Sequence, residues 1–250
     1  MSEKPSIRLY IHDALNTDAA LQLSRPQSHY LVNVMRCKAG QQILLFNGIN
    51  GEWLAEITAA DKKACMVSLL NQTRSQENEP DVWLLFAPLK KDRTDFLIEK
   101  ATELGVSRLV PVITKRTQSG RLNIERLQAT ATESAEQSRR LGVPEIVEPA
   151  SFDKIIADWP QTRRLIYLDE TGKGQPLAQV LNENTDNLGF WIGPEGGFSA
   201  DELDALGNLT FSVAADLGPR ILRAETAATA ALAIRQSVAD LQPLTHDRRP

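Results

Sequence analysis

From residue 82 onward the chain alternates unbroken apolar runs with amphipathic stretches, and this pattern restricts its fold more than any other feature. The runs cover residues 82–87, 109–113, 165–168, 188–192 and 211–214. A strand with one wet face alternates apolar and polar residues, whereas β-branched and aromatic runs without alternation suit strands covered on both sides. The intervening segments supply the covering helices, so the pattern predicts an α/β domain around a mainly parallel sheet. Helices are expected over residues 93–104, closed by Gly105, and over 124–141, closed by Gly142 with Pro144 beyond. Glycine is the residue that most readily takes the left-handed conformation at such ends. A third helix starts at Ser199, where Glu202 stands at capping-box spacing.

The first seventy or so residues read differently. Short strands are expected over 8–11, 42–46, 52–58 and 65–70, with Asn47-Gly48 and Asn50-Gly51 as turns, and one helix over 26–35 opened by Pro26. Residues 72–81 lack any aliphatic or aromatic side chain and should lie exposed. The expected organisation is a β-rich domain over 1–72, a linker over 73–81 and the α/β domain over 82–250.

With 28 basic against 32 acidic residues the formal charge is −4, which argues against a protein that coats nucleic acid through bulk positive charge. Local basic groups remain: Arg8, Arg25, Arg36 and Lys38; Lys90, Lys91 and Arg93; Lys115, Arg116 and Arg121; Arg139 and Arg140. Each can be a solvated face or part of a phosphate-binding surface. Cys37 and Cys65 are the only cysteines and predict free thiols; they and His12, His29 and His246 show no metal-ligand spacing, so no metal is expected. No apolar run approaches the roughly 18–20 residues of a membrane span, and the N-terminus lacks an apolar leader stretch. The expectation is a soluble, cytoplasmic chain that does not engage a membrane.

Two glycine-proline loops follow consecutive apolar runs near the C-terminal end: Ile192-Gly193-Pro194-Glu195-Gly196-Gly197-Phe198 and Leu217-Gly218-Pro219-Arg220-Ile221-Leu222-Arg223. Ligands of open parallel sheets bind at the carboxyl ends of the strands, where both loops fall. Gly193, Gly196 and Gly197 allow positive φ and close approach of backbone to ligand, and Pro194 lowers the ordering cost. Such loops can meet an adenine edge or a ribose through backbone N–H and C=O groups. Tight strand-to-helix turns use the same residues for structural reasons alone. After the second loop, residues 224–233 form a helix of small residues, suited to close backbone packing. Neither a GxGxxG fingerprint nor a GxxxxGK[ST] phosphate loop occurs.

The segments 192–198 and 217–227, together with Pro88-Leu89-Lys90-Lys91-Asp92-Arg93 and Arg8-Leu9-Tyr10, closely resemble the RsmE family of 16S ribosomal RNA uridine-N3 methyltransferases, over essentially the whole chain. The resemblance implies a SPOUT-type α/β domain with a C-terminal trefoil knot, preceded by a PUA-like β-barrel and assembled as a homodimer. It implies S-adenosylmethionine (S-adenosyl-L-methionine) as cofactor and 16S rRNA or the small ribosomal subunit as partner. On this basis Leu168, Gly193, Pro194, Glu195, Gly197, Leu217, Gly218, Ile221, Leu222 and Ala224 are expected to enclose the cofactor. Arg220, Arg223 and Glu225 are the catalytic candidates, although a carboxylate in a first helical turn also simply favours the helix dipole. Arg8, Arg25, Arg36, Lys90, Lys91, Arg116 and Arg139 are expected to line an RNA track. Two other readings remain open: a non-enzymatic RNA-binding ribosome-assembly factor, and an enzyme acting on small nucleotides.

Overall fold

A computed structural model describes residues 5–17, 19–118, 121–181 and 187–241. The chain divides into two compact units, the first running to Glu79 and taking in Ala135–Val143, the second holding Pro80–Ser134 and the chain from Pro144 onward. The stretch Ala135–Val143 lies well beyond the boundary expected between residues 72 and 82.

The first unit contains β1 (Arg8–Tyr10), β2 (Ala20–Gln22), α1 (Arg25–His29), β3 (Gln42–Phe46), β4 (Glu52–Ala59) and β5 (Met66–Arg74). Its five-stranded sheet has the order β1-β3-β4-β5-β2, antiparallel except where β1 runs parallel to β3. Alternate residues Ile43 and Leu45, Ala55 and Ile57, Val67 and Leu69 turn inward onto Leu9, Leu31 and the buried free thiols of Cys37 and Cys65. Shifts of register between β4 and β5 raise the local twist of the sheet. The helix expected over 26–35 has two parts. Ser24 and Gln27 form a capping box that starts α1, and after His29 the hydrogen bonding widens into a π-helical turn over Tyr30–Val34. Arg36, at φ 57°, ends it.

Arg8 contradicts its expected place on an RNA track. Its side chain is 5% exposed, its Nε donates to Glu52 at 2.6 Å, and its guanidinium lies 3.6 Å from the centre of the Phe46 ring. Its remaining donors reach the carbonyls of Ala135 and Glu136 at 2.8 and 3.4 Å and that of Arg140. Burial lowers its pKa, and Glu52 opposes that shift. A guanidinium enclosed in this way has no face left for phosphate; it closes the first unit.

The second unit follows as β6 (Val82–Phe86), α2 (Lys91–Glu103), β7 (Arg108–Ile113), α3 (Ile124–Ser138), β8 (Glu145–Ile146), β9 (Ala150–Ser151), α4 (Phe152–Ala157), β10 (Arg164–Leu168), β11 (Gln175–Pro176), α5 (Leu177–Val180), β12 (Leu188–Ile192), α6 (Ala200–Gly207), β13 (Ser212–Asp216) and α7 (Ala224–Leu241). Its sheet runs β11-β13-β10-β12-β6-β7-β8 with every pairing parallel, and β9 extends the β8 side along β7. Every residue of the central strand β12 is buried, as unbroken apolar runs require. Gly105 closes α2 at φ 82°, as expected. The end of α3 differs: it stops at Ser138, and Arg139 rather than Gly142 takes the left-handed conformation, at φ 62°. Arg8 satisfies the last carbonyls there, while Glu79 accepts from Arg140 and from the Gly142 N–H, so the chain leaves the helix early. Among the described residues no helix is long and apolar enough to cross a membrane.

Candidate functional site

Strands β13, β10, β12 and β6 lie side by side and parallel, so the segments after Phe86, Leu168, Ile192 and Asp216 all emerge at one sheet edge. The segment after β12 is braced at several points. Phe198 is buried against Trp191, with ring centroids 6.0 Å apart. Ser199 and Glu202 form the expected capping box at the start of α6, and the other Glu202 oxygen accepts from the Lys115 N–H at 2.8 Å. Arg116 donates to the carbonyls of Gly196 and Phe198 at 2.8 and 3.1 Å.

The three glycines of this segment play separate parts. Gly197 alone has positive φ, at 69°, with its N–H bonded to Pro194 O at 2.8 Å. A Cβ on Gly197 would stand 1.4 Å from the Glu170 carboxylate, the far end of an exposed side chain that would have to turn aside, while the positive φ itself disfavours any side chain there. At Gly193 a Cβ would press on the Phe198 ring at 3.2 Å, while at Gly196 it would meet Arg116 at an ordinary 3.5 Å.

The segment after β13 is more open. Gly218, at φ 101°, donates its N–H to Asp216 Oδ1 at 2.9 Å. Leu217 and Leu222 are half-buried, as is Leu168 at the end of β10, and Ala224 is buried. Ile221, also among the residues expected to enclose the cofactor, is 88% exposed. Behind it α7 presents Ala224, Ala227, Ala228, Ala231 and Leu232 as one buried stripe, and the helix packs on α2, α5 and β12.

Arg93 links these parts. It stands at the start of α2, 3.5 Å from Glu195 Oε1 and 3.8 Å from Glu225 Oε1, and so ties the segment after β12 to the first turn of α7. Glu225 is buried, and its Oε2 has no hydrogen-bond partner among the described residues. The guanidiniums of Arg220 and Arg223 are exposed, and neither has an ion pair or hydrogen bond with a described residue.

Comparison with known proteins places this architecture. The RNA methyltransferase domain family matches residues 76–236, and the RNA methyltransferase PUA domain family matches residues 23–70. Ribosomal RNA small subunit methyltransferase E of Rickettsia conorii is 34% identical over 231 residues, spanning 90% of this chain and 93% of its own. The chain belongs to the ribosomal RNA small subunit methyltransferase E family. The crystal structure of the Neisseria gonorrhoeae methyltransferase E bound to S-adenosyl methionine is similar at a TM-score of 0.86, with 26% identity over 93% of this chain and 97% of that one. A Legionella pneumophila methyltransferase in complex with bound cofactor SAM gives a TM-score of 0.84 with 29% identity, covering 92% and 97%.

For a methyltransferase E chain, the remaining basic residues fall as follows. Lys90 and Lys91 open α2 with exposed side chains, and Arg116, though exposed, is committed to bracing the Gly196 segment. Arg25, Arg36 and Arg139 are exposed on the first unit. Two site residues escaped the sequence reading. Arg93 stands in the sequence among the basic residues and in the Pro88–Arg93 motif, with nothing to mark its pairing, and no motif there marks Glu170 as part of the site. Burial, reinforced by Asp169, raises the Glu170 pKa, with Arg116 opposing. Its signal was present as an Asp-Glu pair directly after the apolar run that ends at Leu168. Among the described residues no group of three His, Cys, Asp or Glu side chains could hold a metal ion.

Proposed function

We propose that this chain is an S-adenosylmethionine-dependent methyltransferase that modifies N3 of a uridine in the 16S rRNA of the small ribosomal subunit. The observation that carries the reading is the pair of glycine segments at the ends of β12 and β13, the two strands that flank β10, in a chain that aligns with a small-subunit methyltransferase E over 90% of its length. The donor set suits a purine nucleoside carrying an amino-acid tail. It offers backbone polar groups, the apolar Leu168, Leu217, Leu222 and Ala224, and at Gly197 a left-handed backbone that glycine adopts without strain.

When bound, the cofactor supplies an electrophilic methyl group on a positively charged sulfur. Methylation at uridine N3 requires loss of the N3 proton and leaves negative charge spread over O2 and O4. Arg220 and Arg223, with unpaired guanidiniums, are our candidates to hold that charge or an adjacent phosphate. The buried, unpartnered Oε2 of Glu225 supports a role in accepting the proton or a hydrogen bond from the base.

The sheet order supports a knotted C-terminal end. β13 lies on the far side of β10 from β12, yet α7, which follows it, packs on β12 and α2, so the chain doubles back across the end of β10. The coiled five-stranded sheet of the first unit is consistent with a PUA-like barrel. We assign RNA contacts to Arg25, Arg36 and Arg139 on that unit and to Lys90, Lys91 and Arg116 on the second. The resemblance further implies a homodimer working in the cytoplasm.

The deciding experiment incubates the protein with labelled S-adenosylmethionine and small ribosomal subunits lacking the modification, then maps the methylated nucleotide. Label at a single uridine N3 is expected. Subunit binding without cofactor binding would turn the reading to a non-enzymatic assembly factor, and label on free uridine to a small-nucleotide enzyme.

A further inference from the structure

Among the described residues Ile221 is the most exposed large apolar side chain, at 88%. It stands in the segment that leads from β13 into α7, after Pro219, whose fixed φ stiffens the approach, and between Arg220 and Arg223. A side chain that walls a bound cofactor would lie within the cradle, as the half-buried Leu217 and Leu222 do, whereas Ile221 points into water. Holding an isoleucine in water at a fixed place gains nothing for folding.

Arg220 and Arg223 stand on either side of it in the chain, and neither pairs with a described residue. Arg93 reaches Glu225 in the first turn of α7, which brings Lys90 and Lys91, three and two residues before it, to the same end of the unit as Arg220 and Arg223. The nearby carboxylates are engaged: Glu195 and Glu225 face Arg93, and Asp216 accepts from the Gly218 N–H. Asp92 is the exception on that turn. An apolar tip between two arginines that pair with no described residue, at the same end of the unit as Lys90 and Lys91, is complementary to stacked bases within a phosphate backbone.

We infer that Ile221 is a wedge, entering the base stack where the target nucleotide leaves it while Arg220, Arg223, Lys90 and Lys91 hold the flanking phosphates. The inference rests on the RNA methyltransferase reading above. N3 lies on the pairing edge of uracil, so the base must leave its stack before it can react, and the gap it leaves exposes apolar base faces. Apolar side chains inserted between base steps stabilise such openings.

The test uses the full chain and small ribosomal subunits lacking the modification, comparing Ile221→Ala, Ile221→Asn, Ile221→Leu and Ile221→Met with the parent protein. Four quantities are read: kcat, affinity for subunits, calorimetric affinity for S-adenosylmethionine, and oligomeric state. The wedge predicts that Ala and Asn lower kcat about 10- to 100-fold, the scale of one lost base-stacking contact, that Leu and Met restore it to within a few-fold, and that cofactor affinity and oligomeric state stay as in the parent. Weakened cofactor binding in the Ala variant would make Ile221 a cofactor wall and overturn the proposal. A changed oligomeric state would instead assign it to contact with a second copy, and an unaltered kcat in the Ala variant would remove any role. If the parent protein itself fails to methylate subunits, the underlying reading fails, which is a separate outcome from any of these.

Discussion

The Glu170 carboxylate occupies the space that a side chain on Gly197 would need, with Oε1 1.4 Å from the position of a Cβ. This makes Gly197→Ala a sharp probe. Beyond the overlap, a non-glycine residue at φ 69° costs about 1–3 kcal/mol of folding stability, and a backbone that relaxes to relieve this strain moves the segment after β12, so affinity for S-adenosylmethionine should fall. Combining it with Glu170→Ala removes the overlap but leaves the backbone strain, so calorimetry should show partial recovery. Unchanged affinity in the single variant would remove Gly197 from the cofactor site.

Glu170 should also leave a mark on stability. Burial and Asp169 raise its pKa above the ordinary 4.5. A carboxyl raised in the folded state binds its proton more tightly than the unfolded chain does, so its contribution is present below pH 4.5 and lost as pH rises through the folded value. Glu170→Gln removes that loss. Urea unfolding of parent and variant at successive pH values should therefore show the variant gaining on the parent from pH 4.5 towards neutrality.

Asp81 has the opposite sign. Burial pushes its pKa up, but hydrogen bonds from Arg163, Ser107 and Trp83 outweigh burial and hold it below 3.8. Its contribution is present above pH 3.8 and disappears as pH falls through the folded value. Asp81→Asn should be less stable than the parent at neutral pH, with the gap closing in acid. A gap that stays constant with pH would show that the Asp81 charge does not contribute.

Arg8 predicts a large effect on folding. Arg8→Ala leaves Glu52 and several helix-end carbonyls buried without their donor, at a cost of about 3–5 kcal/mol. Arg8→Lys should recover little, because a lysine cannot reproduce the forked contacts to Glu52, Ala135 and Arg140. Denaturant titration measures both.

A tight approach inside the sheet gives a further test. A Cβ on Gly189 in β12 would stand 2.4 Å from the Trp159 ring, a contact that requires the indole or the strand to move. Gly189→Ala should cost about 1–3 kcal/mol by overpacking. Thermal unfolding would reveal it, and a neutral result would mean that Trp159 has room to shift.

The parallel sheet was legible because its central strands are covered on both faces and so carry unbroken apolar runs. The capping box of Ser199 and Glu202 was legible because its signal spans one helical turn. Strands of two or three residues such as β2, β8, β9 and β11 carry too few side chains to show a period. The early end of α3 depends on Arg8, 127 positions from Ala135, and no local pattern could have placed it. At the site, the glycine segments announced a cradle, but the engagement of Arg93 with Glu195 and Glu225 joins three distant parts of the chain. The exposure of Ile221 was hidden for a simpler reason: an isoleucine next to Leu222 looks like core until its surroundings are seen.

The inclusion of Ala135–Val143 in the first unit bears on how such a protein can be rearranged by recombination. A gene fragment ending at residue 79 would encode Arg8 and Glu79 without the carbonyls and the arginine they hold, and its product would be an incomplete module. Transplanting this unit onto another enzyme would require an insertion at two places in the host. Inheritance of the two halves as one indivisible cassette is the simpler course.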